Sequence, residues 1–489
     1  MGQDVWRVGD TMEDGGPDEL MIGELQAKEH LHFRRWMHKR GIGLIGCEIR
    51  NCPGKGRGIF ASKSITKGQT VVSVPDDAVL MPQTSSIAEA LEKEKLCNSS
   101  RNAQKEVMGL VLAVMAERCY DKSRWSSYWD LLPDIDDRQD MPVFWDQQDL
   151  QPLRNTPMAE KLGGKWPMTG CHVEHPTQVE ELFDTVVKPF CSKGHVPEWQ
   201  DKTKQQQWWL YLWATAVVSA YSFTLGEDKF QAMVPLWDML NHVTGQCNVR
   251  LHHSSKHEAL QMITTKPIKQ GDEIINNYGP CSDSELLRRF GFIEQQPNPH
   301  NGCEIPCAML VARCQEHMHP SGAKQSSSDA AHISSNKVFL QKKVQFIQKH
   351  GLVPSDGWFK ADVLGQPQDE MIEVVRLLLL TAAEFTAFEK QVDRWQCPLA
   401  RPLTQMTSIC HQVPHIIRAI ATERLAALAE PCTANDQAGN EHMHGFRRMA
   451  AQQVLLIERR ALMGLQLWLD KHDSTSLINC SKKVWMHLR

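Results

Sequence analysis

The spacing of apolar residues changes twice along the chain and separates β-rich from helical regions. Three glycines between residues 54 and 58 precede an apolar strand start at 59–61, and a Thr66-Lys67-Gly68 turn follows. The next run, 70–75, is rich in β-branched residues and ends with a proline. This pattern predicts a β-hairpin. From residue 87 to residue 223 the spacing is helical or loop-like. Strand character returns between residues 248 and 279, so two β segments flank a long helical insertion.

The remainder of the chain is predicted to be helical. Apolar residues recur at helical spacing in 374–392, 416–430 and 446–472, and the last segment carries a core-facing stripe. Two polar segments, 320–336 and 433–445, have the composition of mobile loops. No internal repeat of 20 to 50 residues is visible, which excludes repeat architectures.

These segments predict an α+β fold in which a β-rich domain is interrupted by a helical insert and followed by an all-α domain. The first residues are acidic and glycine-rich and lack the apolar core of a signal peptide. The expected divisions are an acidic flexible leader (1–32), a first β-rich part (33–82), the helical insert (83–225), a second β-rich part (226–298) and a helical domain (299–489).

Composition narrows the classes of function. The chain has 489 residues, of which 42% are hydrophobic and 23% charged, and its formal charge is −4. A protein that coats a nucleic acid usually has a basic excess, so no direct nucleic-acid partner is expected. Fifteen scattered cysteines fit reduced thiols of an intracellular protein, nuclear or cytoplasmic. The most apolar stretch, 208–223, is short and contains polar residues, which indicates a buried helix and no membrane association. A monomer is expected.

Three segments carry candidate chemistry. Gly56-Arg57-Gly58 precedes a strand, where glycine lets the backbone approach a ligand closely, although many such segments are simple turns. Asp238, Asn241 and His242 lie within an apolar run, so they are either satisfied internally or directed at a polar ligand. Tyr278 ends an apolar strand immediately before a glycine. It can present its hydroxyl to a cleft, although such a tyrosine is more often part of a core or an interface.

In their order and combination, these segments resemble the SET-domain protein methyltransferases of the Rubisco large-subunit methyltransferase class. The 56–61 segment resembles the first SET motif, 238–242 the Asn-His motif, and 277–279 the catalytic tyrosine motif. The likeness extends to 123–125, 142–145 and 220–223. It implies a β-rich SET domain interrupted by a helical insert, followed by an all-α C-terminal substrate-binding domain.

The resemblance also implies an activity and a set of site residues. The expected enzyme is a protein-lysine N-methyltransferase that transfers methyl from S-adenosylmethionine to a protein substrate. Tyr278 would be catalytic. The residues implied to contact the methyl donor are Gly56, Arg57, Gly58, Tyr221, Asn241, His242 and Phe290, and those implied to bind the substrate lysine are Trp125, Asp238 and Tyr278. Relatives often have a tyrosine in place of Phe290, which leaves the number of methyl groups transferred open.

The chemistry suits these residue types. A lysine amine titrates near ~10.4 and must be neutral to attack a methyl group, and a narrow apolar channel favours the neutral form. The proton can leave through water, so the sequence requires no strong base. Tyr278 then orients the amine or the polarised methyl, because alignment supplies much of the rate. His242 is expected to act as a hydrogen-bonding group.

Other functions stay open from the sequence. The same class includes a protein-histidine methyltransferase, and a non-catalytic SET-fold module would keep the groove without turnover. Five residues, Cys303, Cys307, Cys314, His317 and His319, follow the last motif. Their spacing does not match recognised zinc ligands, so no metal is expected.

Overall fold

The computed structural model describes residues 32–52, 56–96, 103–134, 140–162, 178–226, 230–318, 329–393, 407–430, 442–472 and 484. The predicted leader, apart from residue 32, lies outside these residues. The chain forms two compact units, the first from Met1–Asp137 with Leu182–Tyr278, and the second from Arg138–Glu181 with Gly279–Arg489.

The strands of the first unit come from both ends of its sequence. Their bounds are β1 Gly43–Leu44, β2 Cys47–Cys52, β3 Gly56–Ala61, β4 Thr70–Pro75, β5 Ser222–Leu225, β6 Phe230–Met233, β7 Val249–Ser254 and β8 Ala259–Thr264. An antiparallel sheet has the order β1-β4-β8-β7, so strands almost 200 residues apart in sequence become neighbours. Three valines of β4, at positions 71, 72 and 74, are fully buried. The converging β segments expected from the sequence are therefore present.

The predicted hairpin between β3 and β4 is wrong. β3 pairs with β2, with Gly56 opposite Cys52 and Ala61 opposite Cys47, whereas β4 pairs with β1 and β8. The turn itself is present, since Gly68 has a φ of +86° and its N–H donates to Thr264. Local turn residues fix where the chain reverses, but the neighbour of a strand is chosen by side-chain burial in the completed sheet.

The second edge of β3 is covered by the 271–274 segment. The Ala61 N–H donates to the Asp272 carbonyl at 2.9 Å, and the Ile274 N–H donates to the Ile59 carbonyl at 2.7 Å. The strand predicted over 267–279 is thus reduced to isolated bridges, including Phe60 with Glu273. Residues 277–279 consequently follow a segment that is hydrogen-bonded directly to the strand of residues 56–61.

The helices of the first unit bury its sheet and one another. α1 covers 32–39, and the further helices are α2 Ala88–Lys93, α3 Ala103–Cys119, α4 Ser126–Trp129, α7 Gln178–Leu182 (which ends at the first residue of this unit's second segment), α8 Lys188–Ser192 and α9 Lys204–Tyr221. α9 begins at a capping box in which Thr203 and Gln206 exchange side-chain hydrogen bonds with each other's backbone. Most of its apolar residues from Tyr211 to Val218 are buried, so the buried helix predicted for 208–223 is present up to Tyr221, and residues 222 and 223 belong to β5.

The second unit is mainly helical. Its elements include α5 Gln147–Leu150, α6 Pro157–Lys161, α10 Asp283–Phe290, α11 Cys307–Met318, α12 Asp329–Lys349, α13 Asp369–Leu379, α14 Ala382–Asp393, α15 Thr407–Ala427 and α16 His442–Lys471. The all-α prediction needs one correction, because β9 Gly302–Pro306 and β10 Trp358–Asp362 form an antiparallel pair. Burial alternates along β10, where Phe359 and Ala361 are buried, but Cys303, Glu304 and Ile305 of β9 are all buried, so this pair has no clear two-residue period in the sequence.

Two sequence expectations about segment boundaries differ from the structure. Part of the predicted helical insert belongs to the second unit, where Trp145, Leu153 and Met158 pack with Ala450 and Val454 of α16. The helices α12 and α16 begin inside the segments predicted as mobile loops, at residues 329 and 442. Residues 320–328 and 433–441, which make up the rest of those predictions, lie outside the described residues.

A buried carboxyl in the second unit gives a test of its core. Burial raises the pKa of Glu458 to about 8, against the opposing effect of Arg424. The contribution of this carboxyl to the free energy of unfolding is fully present below its pKa in the unfolded chain, near ~4.3, and it is lost as the pH rises through about 8. Between pH 5 and pH 9, the free energy of unfolding of the wild type should therefore fall by more than about 1 kcal/mol relative to that of Glu458→Gln. Urea denaturation at each pH measures this, and parallel curves for the two proteins would contradict it.

Candidate active site

The site of the first unit is built on β3. Gly58 is buried in the middle of this strand, and a Cβ atom there would lie 2.8 Å from Glu273 Oε1 and 3.0 Å from Asn241 Nδ2. Only glycine fits such an approach. Gly56 differs, because it has a φ of +75° and nothing lies within 4 Å of its Cβ position. The strand therefore has one closely packed glycine and one that leaves open space beside the backbone.

Asn241 joins the first and last motifs. Its Nδ2 donates to Glu273 Oε1 at 2.7 Å and to the Arg57 carbonyl at 3.1 Å. Both partners are acceptors, which fixes the orientation of the amide. Both N–H groups are thus used within the protein, and only Oδ1 can accept a hydrogen bond from a ligand.

Asn248 holds the segment that leads to Tyr278. Its buried amide donates to the Glu273 carbonyl at 2.9 Å and accepts from the Ile275 N–H at 2.8 Å. We expect Asn248→Ala to destabilise the protein by about 2–3 kcal/mol, since two buried backbone groups lose their partners. Chemical denaturation measures this. Asn51→Ala on β2 is the control and should change stability by less than about 0.5 kcal/mol because that side chain is exposed.

Tyr278 is fixed through its hydroxyl, its backbone and its ring. The hydroxyl donates to the Leu240 carbonyl at 2.9 Å, and the backbone N–H donates to His242 Nδ1 at 3.2 Å. The His242 and Tyr278 rings stack with centroids 5.1 Å apart. Because Nδ1 accepts, the proton of neutral His242 is on Nε2, which lies 3.1 Å from Thr244 Oγ1. The His242 side chain therefore positions the tyrosine.

Asp238 lies at the start of the segment that ends at His242. It belongs to a 3-10 turn, Trp237–Met239, which follows Leu236 with a φ of +72° and no exposed surface. A leucine in this left-handed region is strained, and such strain is retained where the surrounding structure imposes it. The turn directs Asp238 Oδ2 to the Tyr128 hydroxyl at 2.8 Å.

The environment of Asp238 favours its neutral form. Burial raises the pKa of this carboxyl to about 7, although hydrogen bonds from Tyr128 and from the backbone, and the charge of Arg57, act to lower it. Burial, together with the charge of Asp238, also raises the pKa of Tyr128 well above its ordinary value. Asp238 therefore changes protonation near neutral pH.

The structure brings most of the predicted site residues into this unit. Asn241 is bonded to the Arg57 carbonyl of β3, and His242 is bonded to Tyr278. Asp238 belongs to the same run as these two residues and is bonded to Tyr128. Tyr221 ends α9 and is close enough to Tyr128 for its charge to raise the pKa of that tyrosine.

Two predicted residues have other surroundings. Trp125 is buried, its indole N–H donates to the Ala78 carbonyl at 3.0 Å, and the Arg124 guanidinium covers its ring. These are contacts of a core residue. Phe290 is the last residue of α10 in the second unit, with the Arg289 guanidinium 4.9 Å from its ring centroid. The roles assigned to Trp125 and Phe290 stay predictions.

Sequence reasoning missed two residues of the site. Glu273 accepts the Asn241 amide, and Tyr128, three residues after Trp125, contacts Asp238. The available signal for Glu273 was a charged residue directly before an apolar pair, Ile274-Ile275. Nothing in the sequence around Tyr128 distinguishes it from its aromatic neighbours, because its partner is 110 residues away.

The residues considered for zinc do not assemble. Cys303 is in β9, Cys314 is buried in α11, and His317 Nε2 lies 3.2 Å from Gln412 Oε1. His319 lies outside the described residues. Within the described ranges, no group of three or more His, Cys, Asp or Glu side chains is arranged to hold a metal ion. Likewise, none of the helices described has the length and apolarity needed to cross a membrane.

Comparison with known proteins confirms the resemblance found in the motifs. Residues 56–279 match the family model of the SET domain. The N-lysine methyltransferase SETD6 of Rattus norvegicus is 27% identical over 377 residues, which cover 73% of this chain and 72% of the relative.

Solved structures share the fold. The SET domain of LSMT bound to lysine and AdoHcy has a TM-score of 0.62 at 16% identity, covering 91% of each chain. Rubisco LSMT bound to AdoMet has a TM-score of 0.59 at 16% identity, covering 91% of this chain and 92% of the other. Residues 56–279 therefore match a SET domain, and the chain has an α+β fold of the LSMT type, as the sequence predicted.

Proposed function

We propose that the protein is an S-adenosylmethionine-dependent protein-lysine N-methyltransferase. The observation that carries the proposal is the joining of the three motifs around Tyr278, whose hydroxyl, backbone and ring are all fixed. The SETD6 and LSMT relatives support the same chemistry. A binding module has no need for a rigidly held hydroxyl, so turnover is the better explanation of this arrangement.

The residues present fit the methyl donor. The open side of Gly56 leaves room for a ligand against β3, and Asn241 Oδ1 is free of the bonds that occupy its Nδ2. We assign Gly56–Gly58, Tyr221, Asn241 and the backbone of His242 to donor binding, with Phe290 as a further contact. S-adenosylmethionine supplies a methyl group activated by its sulfonium charge.

Tyr278 acts as a fixed hydrogen-bond acceptor. Because its hydroxyl proton is donated to Leu240, the oxygen can meet an amine or a polarised methyl group only as an acceptor. Holding the amine in line with the methyl carbon then supplies much of the rate. We assign contact with the substrate lysine to Asp238 and Trp125, as the resemblance implies.

The protein substrate docks on the helical domain, residues 299–489. The protein acts as a monomer in the nucleus or the cytoplasm, without a metal and without direct nucleic-acid contact. The acidic net charge of −4 supports the last point, since phosphate binding requires a basic surface.

Transfer of labelled methyl tests the proposal. Purified protein is incubated with labelled S-adenosylmethionine and a heat-treated cell extract, and the labelled residue in the strongest band is mapped by mass spectrometry. Label on lysine is expected. Label on histidine would favour the protein-histidine methyltransferase, and absence of label together with donor binding in calorimetry would favour the non-catalytic module.

A further inference from the structure

We propose that the Asp238 carboxylate takes the proton from the substrate ammonium, with Tyr128 setting its basicity. The inference rests on the proposed function. It assigns a proton acceptor to a site whose sequence required none, and it gives Tyr128 a role that no motif indicates.

The geometry of the Asp238 carboxyl leaves one oxygen available. Oδ2 accepts from the Tyr128 hydroxyl at 2.8 Å, whereas Oδ1 is buried and has no hydrogen-bond partner among the described residues. The backbone N–H groups of Asp238 and Met239 also act on the carboxyl and lower its pKa, but neither is bonded to Oδ1. A buried carboxylate oxygen without a partner is costly, so it is expected to serve a ligand with an N–H group. The ammonium of a lysine is such a ligand.

Asp238 belongs to the turn that leads to the partner of Tyr278. Leu240 is the C-terminal cap of that turn, and its carbonyl accepts the Tyr278 hydroxyl at 2.9 Å. The proposal therefore requires an ammonium held at Tyr278 to extend to Asp238 Oδ1, which is itself buried.

The charged and titratable groups around Asp238 come from three elements. Arg57 of β3 lowers the pKa of the carboxyl by its charge, Tyr128 of α4 lowers it by hydrogen bonding, and Tyr221 of α9 interacts with Tyr128. Burial opposes these effects and leaves the pKa at about 7. A proton acceptor is most effective when its pKa lies near the working pH.

The proton step is balanced within the pair. An N–H bond of the ammonium breaks, an O–H bond forms at Asp238 Oδ1, and the nitrogen keeps the electron pair as its lone pair. The carboxylate becomes a neutral carboxyl and the ammonium becomes a neutral amine. Asp238 then returns its proton to water before the next turnover.

The pH dependence of the rate distinguishes this role from a structural one. The probe is the strongest labelled protein of the heat-treated extract, with donor at saturation. The wild-type rate should rise up to about pH 7 and then level off. In Asp238→Asn, the rate at pH 8 should fall about 100-fold, and it should keep rising about tenfold per pH unit, because only lysine already neutral in solution reacts.

Tyr128→Phe is the second variant. Loss of the hydroxyl removes a hydrogen bond that lowers the pKa of Asp238, so the rising limb of the profile should move to higher pH. Two matched substitutions serve as controls, Asp130→Asn and Tyr120→Phe, both at exposed positions of the same unit. Their profiles should coincide with that of the wild type.

A measurement without turnover separates the inference from the proposed function. Infrared difference spectra of the protein alone should show a carboxyl that titrates near pH 7 and is missing in Asp238→Asn. Methyl transfer with an unchanged pH profile in Asp238→Asn would overturn this inference and leave the proposed function standing, as would a spectrum without that carboxyl. Absence of any transfer by the wild type would overturn both, even if the carboxyl titrates as expected.

Discussion

Replacement of Tyr278 by phenylalanine is expected to reduce methyl transfer by about 100-fold or more, comparable to the loss of one fixed polar group in other active sites. The ring would still stack on His242 and the backbone N–H would still bind His242 Nδ1. Only the hydroxyl, and with it the acceptor for the amine, would be missing. Affinity for S-adenosylmethionine, measured by calorimetry, should change less than about threefold, because the hydroxyl acts on the amine in the transition state and not on the bound donor.

A control at another tyrosine tests whether this effect is specific. Tyr211→Phe removes the hydroxyl of a buried tyrosine whose ring stacks on Phe183. The rate of methyl transfer by this variant should stay within about twofold of the wild-type rate. If Tyr278→Phe retained wild-type activity, Tyr278 would lose its catalytic assignment, and the Leu240 carbonyl would be only a structural partner of the hydroxyl.

Substitution of Gly58 by alanine is expected to cost about 1–3 kcal/mol of stability and at least about tenfold in donor affinity. The added Cβ would lie 2.8 Å from Glu273 Oε1 and 3.0 Å from Asn241 Nδ2. Either the Asn241–Glu273 hydrogen bond breaks or β3 moves away from the 271–274 segment. Both changes disturb the junction between the first and last motifs. Calorimetry with S-adenosylmethionine and urea denaturation measure the two effects.

Gly68→Ala is the matched control for this prediction. Gly68 has a φ of +86° with open space at its Cβ position, so alanine there should cost about 1 kcal/mol from backbone strain alone. Donor affinity should not change. Equal donor affinities for Gly58→Ala and the wild type would show that the close approach at β3 is not required by the binding site.

The types of the long elements were recoverable from the sequence because they depend on short-range spacing. The helix predicted within 208–223 is present up to Tyr221, and the strands predicted after residue 248 appear as β7 and β8. Strand partners were not recoverable. β4 lies between β1 and β8 because burial of both its faces is satisfied there, and no residue of the nearby turn carries that information.

For the site, motif residues were recoverable and their supporting residues were not. Gly58, Asn241 and Tyr278 stand out because a glycine, an amide or a hydroxyl in an apolar segment needs an explanation. Glu273 and Tyr128 are unremarkable in sequence and matter only through partners that lie 32 and 110 residues away. Contacts over such separations arise only when the sheet has formed.

The motifs that resemble a SET domain, and the tyrosine in the last of them, were recognisable from the residues alone, because glycine, amide and hydroxyl chemistry is local to a few positions. The partners of Tyr278, and the rise of the pKa of Asp238 to about 7, follow from the folded arrangement. A pKa depends on burial and on neighbouring charges, and both are properties of the assembled fold.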